Sequence, residues 1–380
     1  MIPRNFLISA ASALAILGSV PAVAAPPITF GVQAPITGAY AEEGQGIERA
    51  AKLLAEEQNA KGGLLGRKLE VTTCDDEGKA AQAAICARQL TNDHVIAVIG
   101  SYTSGAALAA EPIYARANVL QSSDGTSDKL LERGYKTWFG NAPPNSAEAE
   151  FTAKYLVQVR KFKKIAILTD HSSFATGLAD AVEKDVKAVH GNVVDKAFIN
   201  AGSQNFTPVL TKLKSMSPDV IYFSGYYSDG GLIKAQMEQL GIKAVFVGGD
   251  ANQNVAFAKI AGSAAAGAII INVPAPQDLP YPAAKEFVAT YTKKYGAPPP
   301  SVYTLTNADG MRAVMQAIAH TKSTDPAKLE NYLHNLKQFE GLTGTFHWNQ
   351  RGERIGSPFV AFAVESDGNY KILYPAPKAG

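Results

Sequence analysis

One unit, a buried strand followed by a polar turn and a helix, recurs along the chain and limits the folds open to it. Its clearest copy begins at residues 95–99, five apolar residues rich in β-branched side chains, and continues through a turn that contains Gly100 and Gly105. An alanine-rich helix is predicted to follow as far as Arg116, with a kink or a break at Pro112. Repetition of this unit predicts parallel sheets that are covered by helices on both faces.

Further copies of the unit lie on either side of a proline-rich break near residue 143. Apolar runs predict strands at 28–32, 69–73, 119–120, 164–168, 193–194, 220–223, 244–247 and 268–272, and short closing strands at 343–347, 359–364 and 370–374. Helical spacing predicts helices at 47–61, 79–91, 151–159, 174–186, 208–214, 230–240, 252–261, 281–295, 306–320 and 326–336. A second proline-rich piece lies near residue 275. We therefore expect two serial α/β domains, with later material returning to one of them.

The first residues have the layout of a secretory signal. Arg4 precedes an apolar run at residues 6–20, and small residues at 22–25 are suited to cleavage after Ala24 or Ala25. A membrane anchor is the alternative, but the apolar run is short and is interrupted by Gly18. We expect residues 1–25 to be removed, leaving an exported and soluble chain without a membrane span.

The net charge of the chain limits the classes of partner that it can bind. A formal net charge of +2 in 380 residues, without a basic stripe, argues against nucleic acid or an anionic membrane as a partner.

The chain contains two cysteines: Cys74 ends a predicted strand, and Cys86 lies on the next predicted helix. Export permits a disulfide between them, and a pair of buried free thiols is the alternative. Two cysteines with no neighbouring histidine are too few ligands for a metal site.

Motifs for catalysis are absent from the sequence. It contains no Walker loop, His-Glu-x-x-His motif, nucleophile elbow or dinucleotide glycine fingerprint, and its six histidines are scattered. We therefore expect a protein that is not an enzyme and that has no cofactor.

Polar residues that follow buried strands are the candidates for ligand binding. Ser104 stands where a helix start would aim free N–H groups at an anionic group, although an ordinary N-cap is the alternative reading. Asp250 follows a strand and two glycines, and the alternative for it is also a helix cap.

Local motifs spread over the whole mature chain carry a family resemblance. They are Ile36-Thr37-Gly38, Asn59-Ala60-Lys61-Gly62-Gly63-Leu64, Asp75-Asp76, Val98-Ile99-Gly100, Arg133-Gly134-Tyr135, Ala166-Ile167-Leu168-Thr169-Asp170, Tyr222-Phe223-Ser224-Gly225-Tyr226 and Gly341-Leu342-Thr343-Gly344. In this order, behind a signal sequence, the chain resembles the exported leucine/isoleucine/valine-binding proteins of ABC transporters, which have the type I periplasmic binding fold.

The resemblance implies two doubly wound parallel-sheet lobes, joined by a three-strand hinge, that close on a small solute. One lobe would comprise residues 26–141 plus 274–350, and the other 142–273 plus 351–380. It further implies a periplasmic, monomeric protein that delivers an amino acid or a related amine to a membrane permease. A receptor for an amide, a urea-like solute or an aromatic acid, a sensory module, and an exported α/β enzyme are the alternatives.

The family's ligand contacts can be transferred position by position. Its turn serine, which meets the ligand carboxylate, corresponds to Ser104, and its threonine after the next strand corresponds to Thr126. Its acidic residue, which meets the ammonium, corresponds to Asp250. Its tyrosine in a Gly-Tyr step corresponds to Tyr226, and its aromatic lid corresponds to Phe174. A zwitterion removed from water needs donors at one end and an acceptor at the other, which these residue types supply.

Departures from the family pattern concern specificity. Glu43 replaces a frequent aromatic residue, Asp124 replaces a small one, and Tyr102 and Thr103 are expected to face the side-chain pocket. The helix predicted at 306–320 lacks the tyrosine that frequently starts it in relatives. A pocket with these acids would suit a polar or cationic ligand. If Glu43 and Asp124 instead face water or cap helices, the pocket is aliphatic; the sequence leaves both readings open.

Overall fold

The computed structural model describes residues 25–375. Residues 1–24, which hold nearly all of the expected signal sequence, lie outside the described residues. Within residues 25–375, no helix combines the length with the hydropathy that crossing a bilayer requires.

The first sheet contains five parallel strands in the spatial order β2-β1-β3-β4-β5. The strands are β1 (Ile28–Ala34), β2 (Leu69–Asp75), β3 (Ala97–Gly100), β4 (Leu120–Ser123) and β5 (Trp138–Gly140). The helices that connect them are α1 (Ala41–Ala60), α2 (Ala80–Asn92), α3 (Ser104–Arg116) and the short α4 (Lys129–Glu132). Cys74 at the end of β2 and Cys86 in α2 form a disulfide, with their Cα atoms 5.5 Å apart.

Two local features show how the sequence shapes these helices. Pro112 does not break α3, which is continuous through it. Its ring removes the N–H that would bond the carbonyl of Leu108, and the Arg133 guanidinium donates to that carbonyl instead, at 2.7 Å. In α1, a Cβ on Gly44 would lie 2.0 Å from the Pro35 carbonyl oxygen, so glycine lets the helix start pack closely on the loop after β1.

The chain then builds the core of a second sheet from five parallel strands. They are β6 (Ile165–Thr169), β7 (Val193–Phe198), β8 (Val220–Ser224), β9 (Val245–Gly248) and β10 (Ile269–Asn272). The helices of this part are α5 (Asn145–Lys154), α6 (Ser173–Ala188), α7 (Thr207–Ser215), α8 (Tyr227–Gln239) and α9 (Val255–Ala261).

The last part of the chain adds helices to the side of the first sheet and strands to the second sheet. Helices α10 (Pro282–Tyr295) and α11 (Tyr303–Thr321) pack on α1, and α12 (Pro326–Asn335) packs on α11. A small antiparallel sheet follows, formed by β11 (Phe339–Gly341), β12 (Gly344–Trp348) and β13 (Arg354–Ile355). Finally β14 (Val360–Val364) and β15 (Tyr370–Tyr374) extend the second sheet antiparallel to β10. The second sheet is therefore parallel except at this edge.

The chain passes between the two sheets three times, in agreement with the three-strand hinge that the family resemblance implies for a doubly wound α/β fold. The crossings follow β5, β10 and β13. The residue bounds given above for the two lobes remain a prediction.

Candidate functional site

A small cavity lies where the two sheets face each other, at the carboxyl ends of their strands. Its lining residues are Tyr102, Ser104, Asp124, Thr126, Phe174, Tyr226, Asp250, Ala251 and Tyr303. The cavity has a volume of about 10 Å³, close to the space that one water molecule needs. Parallel α/β sheets bind ligands at this edge, because loops from successive strands meet there. All of the residues that we predicted for the ligand lie in this lining except Thr103 and Glu43.

The hydroxyl side of the cavity is built by α3 and the loop after β4. The N-cap of α3 is Thr103, whose side chain accepts a hydrogen bond from the Ala106 N–H. Ser104 is therefore the first helical residue and not the cap. Its Oγ accepts from the backbone N–H groups of Thr126, at 3.1 Å, and Ser127, at 3.2 Å. These bonds hold the start of α3 and the Thr126 loop together, with the positive end of the helix dipole at the cavity.

The side chain of Thr103 lies outside the cavity lining, whereas we expected it to face the side-chain pocket. Its Oγ1 donates to the carbonyl of Gly78 at 3.1 Å and also accepts the capping bond of α3. Both uses turn the hydroxyl toward its own helix start and the loop before α2.

Aromatic rings cover the middle of the cavity. The Tyr226 ring lies 5.1 Å from Phe174 and 5.8 Å from Tyr102, and Tyr102 lies 5.6 Å from Tyr303. Tyr40 packs over Tyr226 at 4.5 Å. The hydroxyl of Tyr102 is buried and has no hydrogen-bond partner among the described residues. Its ring and hydroxyl are thus available to a solute in the cavity.

Tyr303 corrects one sequence-based expectation. The helix predicted from residue 306 begins at Tyr303, so α11 does start with a tyrosine. The sequence did not predict this first residue of α11, because three consecutive prolines and a serine precede Val302 and no cap signal marks the boundary. Tyr40 was also missed, because it lies in a loop whose pattern predicts nothing about its position.

The acidic side of the cavity contains a pair of carboxyl groups. Asp250 is 4% exposed, and its Oδ1 accepts from the Ala251 N–H at 2.7 Å. Glu148, on α5, accepts through Oε1 from the Asp250 N–H and from the Tyr222 hydroxyl, each at 3.2 Å. Burial raises the pKa of Asp250, and a hydrogen bond with Tyr303 acts in the opposite direction. Burial, together with the Asp250 charge, raises the pKa of Glu148 well above its usual range.

Two further buried acids have partners within the protein. Asp124 accepts from the Thr306 hydroxyl at 2.8 Å and from the Asn307 side-chain amide, both on α11. Glu43 lies away from the cavity lining and accepts from Asn254. Both acids are buried rather than facing water, and burial raises the pKa of Asp124 well above its usual range.

Glu43 joins the parts of the protein that carry the two sheets. Its carboxyl accepts from Asn254 Nδ2 at 2.7 Å and from Ser301 Oγ at 2.8 Å. Asn254 caps α9 beside the second sheet, whereas Glu43 lies on α1 beside the first. Burial raises the pKa of Glu43 to about 7. This contact therefore holds the two sides of the cleft together.

Residues 25–375 contain no group of three or more histidine, cysteine, aspartate or glutamate side chains arranged to hold a metal ion. The site is instead one of hydroxyls, aromatic rings and carboxyl groups.

Comparison with known proteins gives a consistent set of similarities. A family model described as "Periplasmic binding protein" matches residues 27–369. A Leu/Ile/Val-binding protein homolog 3 from Brucella melitensis is 29% identical over 337 residues, which cover 88% of this chain and 90% of the relative.

Solved structures agree with this. A leucine-binding protein from Thermotoga maritima superposes with a TM-score of 0.85 at 25% identity and covers 91% of this chain and 97% of its own. A branched-chain amino acid transporter substrate-binding protein from Streptococcus pneumoniae, in complex with isoleucine, gives a TM-score of 0.84 at 27% identity over 92% of this chain and all of its own.

Proposed function

The chain belongs to the periplasmic binding protein family, and from that premise we propose that it is the solute-binding protein of an ABC importer. It binds an amino acid between its two lobes and presents the closed complex to a membrane permease. The observation that carries the proposal is the polarity of one cavity: a helix start with hydroxyls lies on one side, and a carboxyl group that is in no ion pair within residues 25–375 lies on the other.

The carboxylate of the ligand fits the α3 side. The first N–H groups of a helix have no partner within it, and Ser104 and Thr126 place hydroxyls beside them. Charge-assisted hydrogen bonds of this kind contribute about 1.5–3 kcal/mol each.

The ammonium group of the ligand fits the Asp250 side. The ion pairs within residues 25–375 do not include Asp250 or Glu148. A buried carboxylate without a cation is unfavourable, and a bound ammonium would supply the missing charge.

The side chain of the ligand meets rings rather than free charges. The carboxyl of Asp124 accepts hydrogen bonds from Thr306 and Asn307. The carboxyl of Glu43 accepts hydrogen bonds from Asn254 and Ser301. An apolar side chain would pack on Tyr102, Tyr226 and Phe174 without leaving a charge unpaired. This arrangement supports leucine, isoleucine or valine over a cationic amino acid.

Entry of such a ligand requires movement. A leucine cannot fit into a cavity of about 10 Å³, so the two sides must separate and the rings must move before binding. Two lobes on a three-strand hinge provide that motion, and closure on the ligand gives the permease a shape that the open protein lacks.

The test is a thermal-shift screen on protein that has been unfolded and refolded to remove retained ligand. The panel is leucine, isoleucine, valine, lysine, glutamate, acetamide and benzoate. A ligand at a thousand times its Kd stabilises by about 4 kcal/mol, so one of the three branched-chain amino acids should give a clear rise in Tm. A rise with acetamide or benzoate only, or with none of the amino acids, would overturn the proposal.

A further inference from the structure

Glu148 is a buried acid next to the proposed amino acid site, but it does not line the cavity. It is 1% exposed and lies beneath the turn of Gly249 and Asp250, outside the cavity lining. A Cβ on Gly249 would lie 2.9 Å from both Glu148 Oε1 and the Tyr222 hydroxyl, so glycine permits this close arrangement.

The two oxygens of Glu148 have different surroundings. Oε1 accepts two hydrogen bonds, from the Asp250 N–H and the Tyr222 hydroxyl. Oε2 is buried and has no hydrogen-bond partner among the described residues. A bare anionic oxygen in such a place is costly, whereas a protonated oxygen is a donor.

Burial and the neighbouring Asp250 carboxyl disfavour a negative charge on Glu148, whereas the hydroxyl of Tyr222 donates to it and acts in the opposite direction. Facing Glu148 are the Asp250 carboxyl, from the turn after β9, Tyr222 from β8 and Tyr303 from α11. Helix α6 and strand β10 also pack on α5, and they contribute apolar residues such as Leu178 and Ile271 to the surrounding cluster. Two carboxyl groups so close together cannot both ionise without a cation.

We propose that Glu148 is a positioning residue that stays protonated on Oε2 and donates toward the Asp250 carboxylate, so that the pair presents a single negative charge to the ligand. This inference rests on the proposed function, since it specifies how the ammonium pole of that site is held. One charge on the pair matches one ammonium, and no proton has to leave when the ligand binds. The neutral acid also keeps Asp250 ionised, because its hydrogen bond stabilises the charged form.

The proposal is tested first without any ligand. Carboxyl ¹³C NMR on protein labelled at glutamate follows the Glu148 signal, identified by its loss in Glu148→Gln, from about pH 5 to about pH 8. We expect this signal to stay at the protonated position at neutral pH. A Glu148 signal at the ionised position at pH 7 would overturn the proposal, whatever the protein binds.

The second test uses L-leucine in calorimetric titrations across the same pH range. Glu148→Gln keeps an acceptor and a neutral donor, so we expect its affinity to lie within about threefold of wild type, with the same loss toward acid pH. Glu148→Met lacks both, and we expect at least tenfold weaker binding, with the acid loss beginning at higher pH because Asp250 is protonated more easily. Glu150→Gln is the matched control and should behave as wild type.

The outcomes separate the two claims. If Glu148→Gln is as weak as Glu148→Met, the pair carries two charges and the inference is wrong. If Glu148→Met binds less tightly by the same factor at every pH, Glu148 is only structural and the inference is also wrong. If none of the amino acids in the thermal-shift panel binds to wild type, the proposed function fails, and the NMR result still decides the protonation of Glu148.

Discussion

The replacement Asp250→Asn should nearly abolish recognition of the ammonium group. The asparagine Oδ1 can still accept from the Ala251 N–H, the bond that holds the turn at 2.7 Å. The volume is unchanged and the negative charge is gone. What is lost is the partner of a buried cation, in a cavity where no described lysine, arginine or histidine lies in an ion pair with Asp250.

The magnitude follows from burial. Removing one partner of a desolvated, hydrogen-bonded charge pair costs about 2–5 kcal/mol, which corresponds to roughly 30- to 5,000-fold in affinity at 25 °C. The unfolding free energy of the ligand-free protein should not fall, because burial opposes the charge that the substitution removes. The loss should therefore appear in binding alone.

Isothermal titration calorimetry with L-leucine on refolded protein measures this loss, and urea unfolding of the same samples measures stability. The control is Asp367→Asn, which removes an exposed carboxyl from the turn between β14 and β15. An affinity for Asp250→Asn within threefold of wild type would remove Asp250 from the ammonium site and refute the reasoning.

Three further predictions concern neighbouring groups. Thr126→Val should weaken leucine binding roughly tenfold, about 1.5 kcal/mol, with little change in Tm. Thr103→Val should lower the unfolding free energy by about 1 kcal/mol, because the cap of α3 is lost, and should leave the affinity within a few-fold of wild type. The reverse pattern would contradict both assignments. Burial raises the pKa of Glu43 to about 7, so the folded protein holds its proton more tightly than the unfolded chain, and stability falls as pH rises through the window from the ordinary glutamate pKa to about 7. Glu43→Gln should remove up to about 3 kcal/mol of that decline in urea unfolding of leucine-saturated protein, and identical pH dependence of the two proteins would contradict the assignment. Replacing both Cys74 and Cys86 by serine opens a loop closed across 12 positions and should lower the unfolding free energy by about 3 kcal/mol, whereas equal stability of the two proteins would show that the bridge contributes nothing.

The strand-end residues could be predicted from the sequence because the topology places each of them at the carboxyl edge of its own sheet. Parallel strands bring their carboxyl ends to one edge of a sheet, so residues just after β3 and β4 converge in the first sheet and residues just after β8 and β9 converge in the second. Ser104, Thr126, Tyr226 and Asp250 lie around one cavity because these two edges also face each other, as the family resemblance implies for two lobes that close on a solute. The family resemblance added the roles of these residues, which remain proposals.

Residues outside that rule could not be placed in advance. Tyr303 and Glu148 reach the site from helices that follow proline-rich segments, where the periodic pattern is weakest. Thr103 and Ser104 are adjacent hydroxyl residues, and only the backbone conformation decides which one caps α3.

Glu43 and Asp124 show a different limit. Their burial depends on partners more than 180 residues away in the chain, Asn254 for Glu43 and Thr306 for Asp124. No local pattern in the sequence encodes such a pairing. From the sequence, an acid that is hydrogen-bonded inside the protein therefore cannot be distinguished from an acid that binds a cationic ligand.

The orientation of the bound solute tests the account most directly. A crystal structure of the protein with L-leucine should show the ligand carboxylate within hydrogen-bond distance of Ser104, Thr126 and the first N–H groups of α3, and the ammonium on Asp250. A leucine bound with its poles reversed, or bound away from these residues, would contradict it.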